Sequence, residues 1–240
     1  MILAAILGGF VGLVLGVLGG GGSTLTVPLL VLGLGIDEKH AIAGGLFVVA
    51  VTAFFGALPR LIARAVDLRA AAIFGGCGAI ASLVASIAAR GIDPKFQLHV
   101  LAATMLVAGV LLLVRKSTGV PHRAPWPRVL ATATGAGVLT GITGIGGGFI
   151  LVPALVLGAG LTFDRAVATS LLVITGNALF GWFGAAERMS AFEPHVLVFT
   201  AGAVLVALTS GKYSPRIAPL TRQRVLAGLL CTIGIVMTLR

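Results

Sequence analysis

The stretch that decides the fold is GVLGGGGSTLTVPLL, Gly16–Leu30, which places four consecutive glycines and a proline inside an apolar N-terminal region. A continuous helix over residues 2–34 would be about 50 Å long at ~1.5 Å per residue, whereas the hydrocarbon core of a bilayer is roughly 30 Å thick. We therefore predict that the chain turns at the glycines. The arm that follows, Ser23–Leu34, is then a half-span or one arm of a re-entrant hairpin.

The composition of the whole chain indicates a membrane protein. Of its 240 residues, 58% are hydrophobic and 10% are charged, while soluble domains average about 25% charged residues. Apolar runs recur along the sequence, each near or slightly short of the roughly 20 residues that cross a bilayer as a helix. The period-two alternation of a membrane barrel is missing from the sequence. We predict an all-α protein with several membrane spans, whose net charge of +10 reflects basic loops that set topology rather than binding to nucleic acid.

The glycine-rich stretch has a second copy. Residues 137–160 read GVLTGITGIGGGFILVPALVLGAG and align without gaps to residues 12–35 at an offset of 125. Extending the alignment to residues 46 and 171 gives 15 identities in 35 positions. Chance would give perhaps ~4 in a chain so rich in glycine and leucine, so the sequence contains an internal repeat.

The repeat divides the chain into a first transmembrane repeat at 1–114, a cytoplasmic linker at 115–128 and a second transmembrane repeat at 129–240. If each glycine-hinged pair makes an even number of crossings, twelve basic residues collect on one side of the membrane and five on the other. A single crossing would give nine and eight. Because the positive-inside rule favours the uneven split, we predict both termini outside. We also predict two inverted repeats of about five helical segments each, with broken or re-entrant segments at the hinges.

The hinges are the candidate substrate site. Backbone that is not helical cannot face lipid at membrane depth, so it faces protein or a water-filled cavity. Helix starts after the two hinges would leave unpaired N–H groups, each start carrying roughly +0.5 charge, which suits an anion. Close helix packing is the alternative, and we favour it for Gly8, Gly12 and Gly16 because of their spacing of four. The predicted hinge site consists of Gly19, Gly20, Gly21, Gly22, Ser23, Thr24, Gly144, Gly146, Gly147 and Gly148.

The duplicated pattern GxxGxGG followed by VP resembles the sulfite exporter TauE/SafE family. The resemblance covers essentially the whole chain. It implies a transporter of sulfite, organosulfonates or related sulfur-containing anions in the bacterial inner membrane, where the charge split places both termini in the periplasm. The second hinge has Gly148 and Phe149 where the first has Ser23 and Thr24, so the two hinges are not chemically equal. The matching residues are Gly16, Gly19, Gly21, Gly22, Val27 and Pro28, then Gly141, Gly144, Gly146, Gly147, Val152 and Pro153.

Neutral side chains complete the predicted site, because all acidic and basic residues fall at span ends or in loops. A carboxylate relay at mid-membrane is therefore not expected, and backbone N–H groups and neutral donors must hold an anion. Asn177 aligns with Thr52 of the first repeat, which points to a shared cavity, although hydrogen bonding between helices is the alternative for both residues. The candidate donors are Ser23, Thr24, Thr26, Thr52, Thr140, Thr143, Thr169, Ser170, Thr175 and Asn177.

Other classes of protein remain open from the sequence. A non-transporting membrane subunit or receptor would share the fold. An intramembrane serine protease would use Ser23 as nucleophile and needs a base within hydrogen-bond reach; a sulfur-relay permease would use Cys77 or Cys231. We predict no catalytic residue, no metal site and no cofactor. The predicted partners are a small anion and the lipid bilayer, and the sequence leaves a homodimer open.

Overall fold

A computed structural model describes residues 1–114, 124–143, 148–185, 193–213 and 217–238 of the protein. These residues form ten α-helices, five in each half of the chain, as the predicted all-α class requires. The helices are α1 Ile2–Leu18, α2 Gly22–Pro28, α3 Glu38–Ile62, α4 Leu68–Ala88, α5 Pro94–Val114, α6 Trp126–Thr143, α7 Gly148–Leu157, α8 Phe163–Ala185, α9 Pro194–Tyr213 and α10 Pro219–Thr238.

The internal repeat extends to the order and position of the helices. Subtracting the offset of 125 places the starts of α6 to α10 at positions 1, 23, 38, 69 and 94, against 2, 22, 38, 68 and 94 for α1 to α5. Every pair of equivalent helices therefore starts within one residue of the same position. The first helix of the second half begins at Trp126, inside the predicted linker 115–128.

Six of the described helices are long and apolar enough to cross a membrane, namely α3, α4, α5, α8, α9 and α10. Shorter apolar helices are α1, α7 and α2 with its extension to Gly33. Large hydrophobic side chains also cover outward faces, such as Ile80, Leu83, Val84 and Ile87 of α4, which are more than half exposed. Apolar side chains on the outside of a bundle this apolar are expected to face lipid.

The first glycine-hinged pair is a hairpin with two antiparallel arms. Gly22 at the start of α2 lies against Leu15 of α1, and Gly33 lies against Leu7 near the start of α1. The second arm continues beyond Pro28 as a π-helical turn, Leu29–Gly33, because a proline within a helix displaces the regular hydrogen bonding. At twelve residues, or about 18 Å, this arm is too short to cross the hydrocarbon core.

The first helix of each half packs against a helix of the other half, and glycines allow the close contact. An added Cβ at Gly12 of α1 would lie 2.1 Å from the carbonyl oxygen of Ala203 in α9. The equivalent Gly137 of α6 has the Gly78 carbonyl oxygen of α4 at 2.2 Å from the same point. Ala203 and Gly78 are themselves 125 residues apart, so the two contacts are repeat equivalents. The predicted packing role of the glycines spaced by four in α1 is confirmed, since Gly8 contacts Phe199 in the same way.

Two pairs of equivalent helices, α3 with α8 and α5 with α10, also pack against each other. Gly56 of α3 lies against Leu171 of α8, and Leu46 lies against Gly181, so these two helices run in opposite directions. The pair α5 and α10 is also antiparallel, because Gly109 lies beside Cys231 and Gly234 lies beside Leu106.

Candidate functional site

The first hinge is a tight turn that only glycine suits. The helix α1 ends at Leu18, and Gly19 adopts φ 69° while its N–H donates to the carbonyl of Leu15 at 2.9 Å. Gly21, directly before α2, has φ 84°. Both values lie in the left-handed region, which side chains with a Cβ rarely adopt. The predicted turn at the four glycines is therefore confirmed.

The first hinge meets the start of α7 from the second half. An added Cβ at Gly20 would lie 2.3 Å from the carbonyl oxygen of Gly148, and one at Gly148 would lie 2.3 Å from the Ser23 hydroxyl oxygen. Only glycine allows this approach. The structure thus brings together Gly20, Ser23 and Gly148 of the predicted set. Three other predicted residues, Gly144, Gly146 and Gly147, lie outside the described residues.

Protein packing also accounts for two further glycines of the hinge. An added Cβ would lie 2.7 Å from Val167 of α8 at Gly19, and 2.5 Å from Leu15 at Gly22. Ser170 of α8 fixes the turn from the same side, because its hydroxyl donates to the Gly19 carbonyl at 2.6 Å. The glycines therefore shape the hinge, and its side chains must be considered separately as ligand-binding groups.

The hydroxyl groups of the candidate donors divide into two kinds. Most of them form a hydrogen bond within the protein. The Thr26 hydroxyl, for example, donates to the Gly22 carbonyl at 2.8 Å, and the Thr175 hydroxyl donates to the Leu171 carbonyl at 2.8 Å. The Thr169 hydroxyl accepts from the N–H of Asp67. Within the described part of the chain, the hydroxyl oxygens of Ser23, Thr24 and Thr52 are buried and have no hydrogen-bond partner. Because a buried polar group without a partner is costly, these three are the strongest sign of a ligand.

The two residues at matching repeat positions have different environments. Thr52 of α3 is fully buried, and α3 packs against both α2 and α8. Asn177 lies on an exposed face of α8, next to the exposed Phe180. The repeat therefore places Thr52 inside the bundle near the hinge-bearing elements and Asn177 at its surface.

The serine-protease alternative requires a base within hydrogen-bond reach of Ser23. Among the described residues the Ser23 hydroxyl has no hydrogen-bond partner. The Nδ1 atom of His40 instead lies 3.5 Å from Oδ2 of Asp37, and the Nδ1 atom of His99 forms a hydrogen bond with the backbone carbonyl of Lys95.

The sequence did not predict that the side chain of Arg60 points into the bundle. Its position near the end of α3 predicts a loop-facing charge, but its guanidinium is partly buried and donates to the carbonyl oxygens of Gly56, at 2.7 Å, and of Gly16 in α1. Thr52, Gly56 and Arg60 are spaced by four and share one face of α3. That spacing is the sequence signal that could have identified it.

A second arginine near this end of the bundle is paired. Arg222 of α10 is only 3% exposed and forms an ion pair with Asp164 of α8. Its guanidinium carbon also lies 5.7 Å from the centroid of the Phe163 ring, within the range of a cation–π contact. The pair links α8 to α10 and neutralises the buried charge of Arg222.

An apolar bundle of repeated helices, in which short interrupted helices meet at their starts, is typical of polytopic membrane transporters. The sequence model of the sulfite exporter TauE/SafE family matches residues 4–237. The chain therefore belongs to this family of membrane transporters, and the predicted resemblance is confirmed.

Individual relatives agree with this assignment. A "Probable membrane transporter protein" of Xylella fastidiosa (strain 9a5c) is 38% identical over 178 residues, covering 70% of this chain and 67% of the relative. The "Probable membrane transporter protein YdhB" of Bacillus subtilis (strain 168) is 28% identical over 210 residues, covering 84% and 83%. YjnA of the same strain, with the same description, is 24% identical and covers 96% of each chain.

Proposed function

We propose that this protein transports a small sulfur-containing oxyanion, such as sulfite or an organosulfonate, across the bacterial inner membrane. The observation that carries the proposal is the set of three buried hydroxyls without partners, those of Ser23, Thr24 and Thr52. Hydroxyl groups donate readily to anionic oxygens, and such charge-assisted bonds are stronger than neutral ones. The name of the family supports a sulfur oxyanion as the substrate class.

We further propose that the two halves are inverted repeats around this site. The antiparallel contacts between equivalent helices support the inversion, because Gly56 meets Leu171 and Leu46 meets Gly181. A two-fold axis perpendicular to the helices produces that arrangement, whereas an axis along the membrane normal would leave equivalent helices parallel. Inverted repeats allow one half to rock against the other, so that a site between them opens alternately to the two sides.

The proposed orientation, with both termini periplasmic, leads to a labelling prediction. In a variant without Cys77 and Cys231, Ala63→Cys in the turn after α3 should stay unlabelled by an impermeant thiol reagent in intact cells. Asp93→Cys, before α5, should be labelled. The reason is that α4 connects the two positions across the membrane, with the more basic side held in the cytoplasm. Labelling at position 63 but not at position 93 would reverse the orientation.

Flux into liposomes that contain only the purified protein tests the transport function. We expect uptake of at least one member of a panel of sulfite, thiosulfate, sulfate, sulfoacetate and taurine. Thr52→Val should lower that flux by about ten-fold or more, because a hydrogen bond to a charged group contributes about 1.5–3 kcal/mol. Its thermal stability should stay the same or rise, since the hydroxyl that it removes has no partner.

Thr175→Val is the matched control. It makes the same change in the antiparallel neighbour α8, but the hydroxyl that it removes already donates to the Leu171 carbonyl. We expect it to keep its flux per folded molecule and to lose about 1 kcal/mol of stability. Absence of flux for the whole panel would reject transport of these anions and favour a subunit or receptor. Equal flux for Thr52→Val and the wild type would remove Thr52 from the site.

A further inference from the structure

The guanidinium of Arg60 lies beside the first hinge rather than outside the bundle. It donates to the Gly16 carbonyl, three residues before the glycine turn, and so joins α3 to the hinge-bearing helix α1. Its bond to the Gly56 carbonyl turns the side chain back along α3 toward Thr52. Because an arginine side chain carries five N–H donors, these two bonds do not exhaust its capacity.

Glycines leave space around this guanidinium. An added Cβ at Gly56 would lie 4.0 Å from Arg60 Nη1, and one at Gly211 of α9 would lie 3.5 Å from the same atom. Gly16, the third neighbour, offers its carbonyl. Three helices therefore approach the charged group at glycines, and the missing side chains of these glycines leave space beside it.

The charges near Arg60 leave a positive excess. Asp164 and Arg222 lie within electrostatic range of it, and these two residues are paired with each other. Within the described part of the chain, the charge of Arg60 is thus the one that this cluster leaves uncompensated. An uncompensated, partly buried cation favours an anion close to it, since screening by water is reduced there.

We propose that Thr52, Gly56 and Arg60 form an oxyanion-binding face on α3, in which Arg60 supplies the positive charge and Thr52 a free hydroxyl. Gly56 lies between the two residues, about one helical turn from each, and carries no side chain to fill the space between them. This inference rests on the proposed transport function and adds a cation to a site that the sequence predicts to be made of neutral donors. A monoanion or dianion is bound there, and a neutral analogue is not.

Arg60→Gln tests the charge. We expect the dissociation constants of the panel anions that stabilise the wild type, measured by thermal shift, to rise by about ten-fold or more, as for the loss of a nearby opposite charge. Arg69→Gln, which removes an exposed charge from the first turn of α4, should change them by less than about two-fold because water and salt screen it. Unchanged affinity in folded Arg60→Gln protein overturns the inference. If no panel anion stabilises the wild type, the proposed function itself fails.

Arg60→Lys provides a second test that does not depend on the folding of the glutamine variant. Lysine at this position should lose its proton at a lower pH than arginine does, because its reference pKa of about 10.4 lies below that of arginine. Among the described residues, the other charged groups that act on this position are Asp164 and Arg222, and the comparison runs from pH 8 to 11. With sulfate or thiosulfate as probe, affinity for the lysine variant should fall across this range relative to the wild type. Parallel pH profiles for the two proteins, each folded, overturn the inference.

Discussion

Valine in place of Gly21 should abolish the thermal stabilisation of the protein by the anions it binds. Gly21 has φ 84°, and Leu229 and Val14 lie 3.4 Å and 3.8 Å from the position of an added Cβ. A β-branched residue is strained at this φ, and its methyl groups would displace the turn that presents Ser23 and Thr24. Because a ligand that binds only the folded state raises the melting temperature, the size of that shift at saturating anion measures the intact site.

Gly35→Val separates strain from loss of the site. Gly35 also has a positive φ, 67°, but no atom lies within 4 Å of an added Cβ there. We expect both variants to lose about 1–3 kcal/mol of stability through backbone strain. Only Gly21→Val should lose the anion-induced shift. If folded Gly21→Val protein keeps the full shift, the first hinge is a packing device and the anion binds elsewhere.

Alanine at Gly12 or Gly137 should destabilise the protein without weakening the anion site. The added methyl would lie 2.1 Å and 2.2 Å, respectively, from a backbone oxygen of the neighbouring helix. A backbone cannot move aside as a side chain can, so the two halves must separate at α1–α9 or α4–α6. We expect a loss of about 1–3 kcal/mol for each change, measured as a lower midpoint of thermal unfolding in detergent.

Gly135→Ala in α6 is the matched control, two residues from Gly137 and with no atom within 4 Å of an added Cβ. Alanine should stabilise the helix there by about 0.5–1 kcal/mol, because glycine loses more conformational freedom on folding. Anion affinity should stay within about two-fold of the wild type in all three folded variants, since none of the glycines belongs to the hinge. Equal melting temperatures for Gly137→Ala and Gly135→Ala would contradict the close contact.

The hinge and the repeat could be predicted because their causes are local. Four consecutive glycines cannot continue an apolar helix at low cost, and the same pattern after an offset of 125 requires a second hinge. The spacing of Gly8, Gly12 and Gly16 likewise identifies a packing stripe before its partner is known. Which helix fills that stripe could not be predicted, because α9 belongs to the other half and is distant in the chain.

The candidate site was predicted only in outline. Ten hydroxyl and amide donors are equivalent in the sequence, and whether a threonine bonds to its own helix depends on its rotamer and neighbours. Thr175 bonds to Leu171, whereas Thr52 has no partner and is fully buried. Asn177 and Thr52 occupy equivalent positions in the repeat, but their neighbours differ, so one is exposed and the other is not.

The sequence by itself determined the class of protein, the repeat, the turn at Gly19–Gly22 and the packing face of α1. These features depend on the length of the apolar segments, on the backbone freedom of glycine and on the helical period of about 3.6 residues. All three act between residues that are near neighbours in the chain. Only the tertiary structure decided that Gly20 meets Gly148 and that Arg60 reaches Gly16. Both contacts join segments far apart in the chain, and long-range packing rather than local preference sets the depth and direction of the groups that form them.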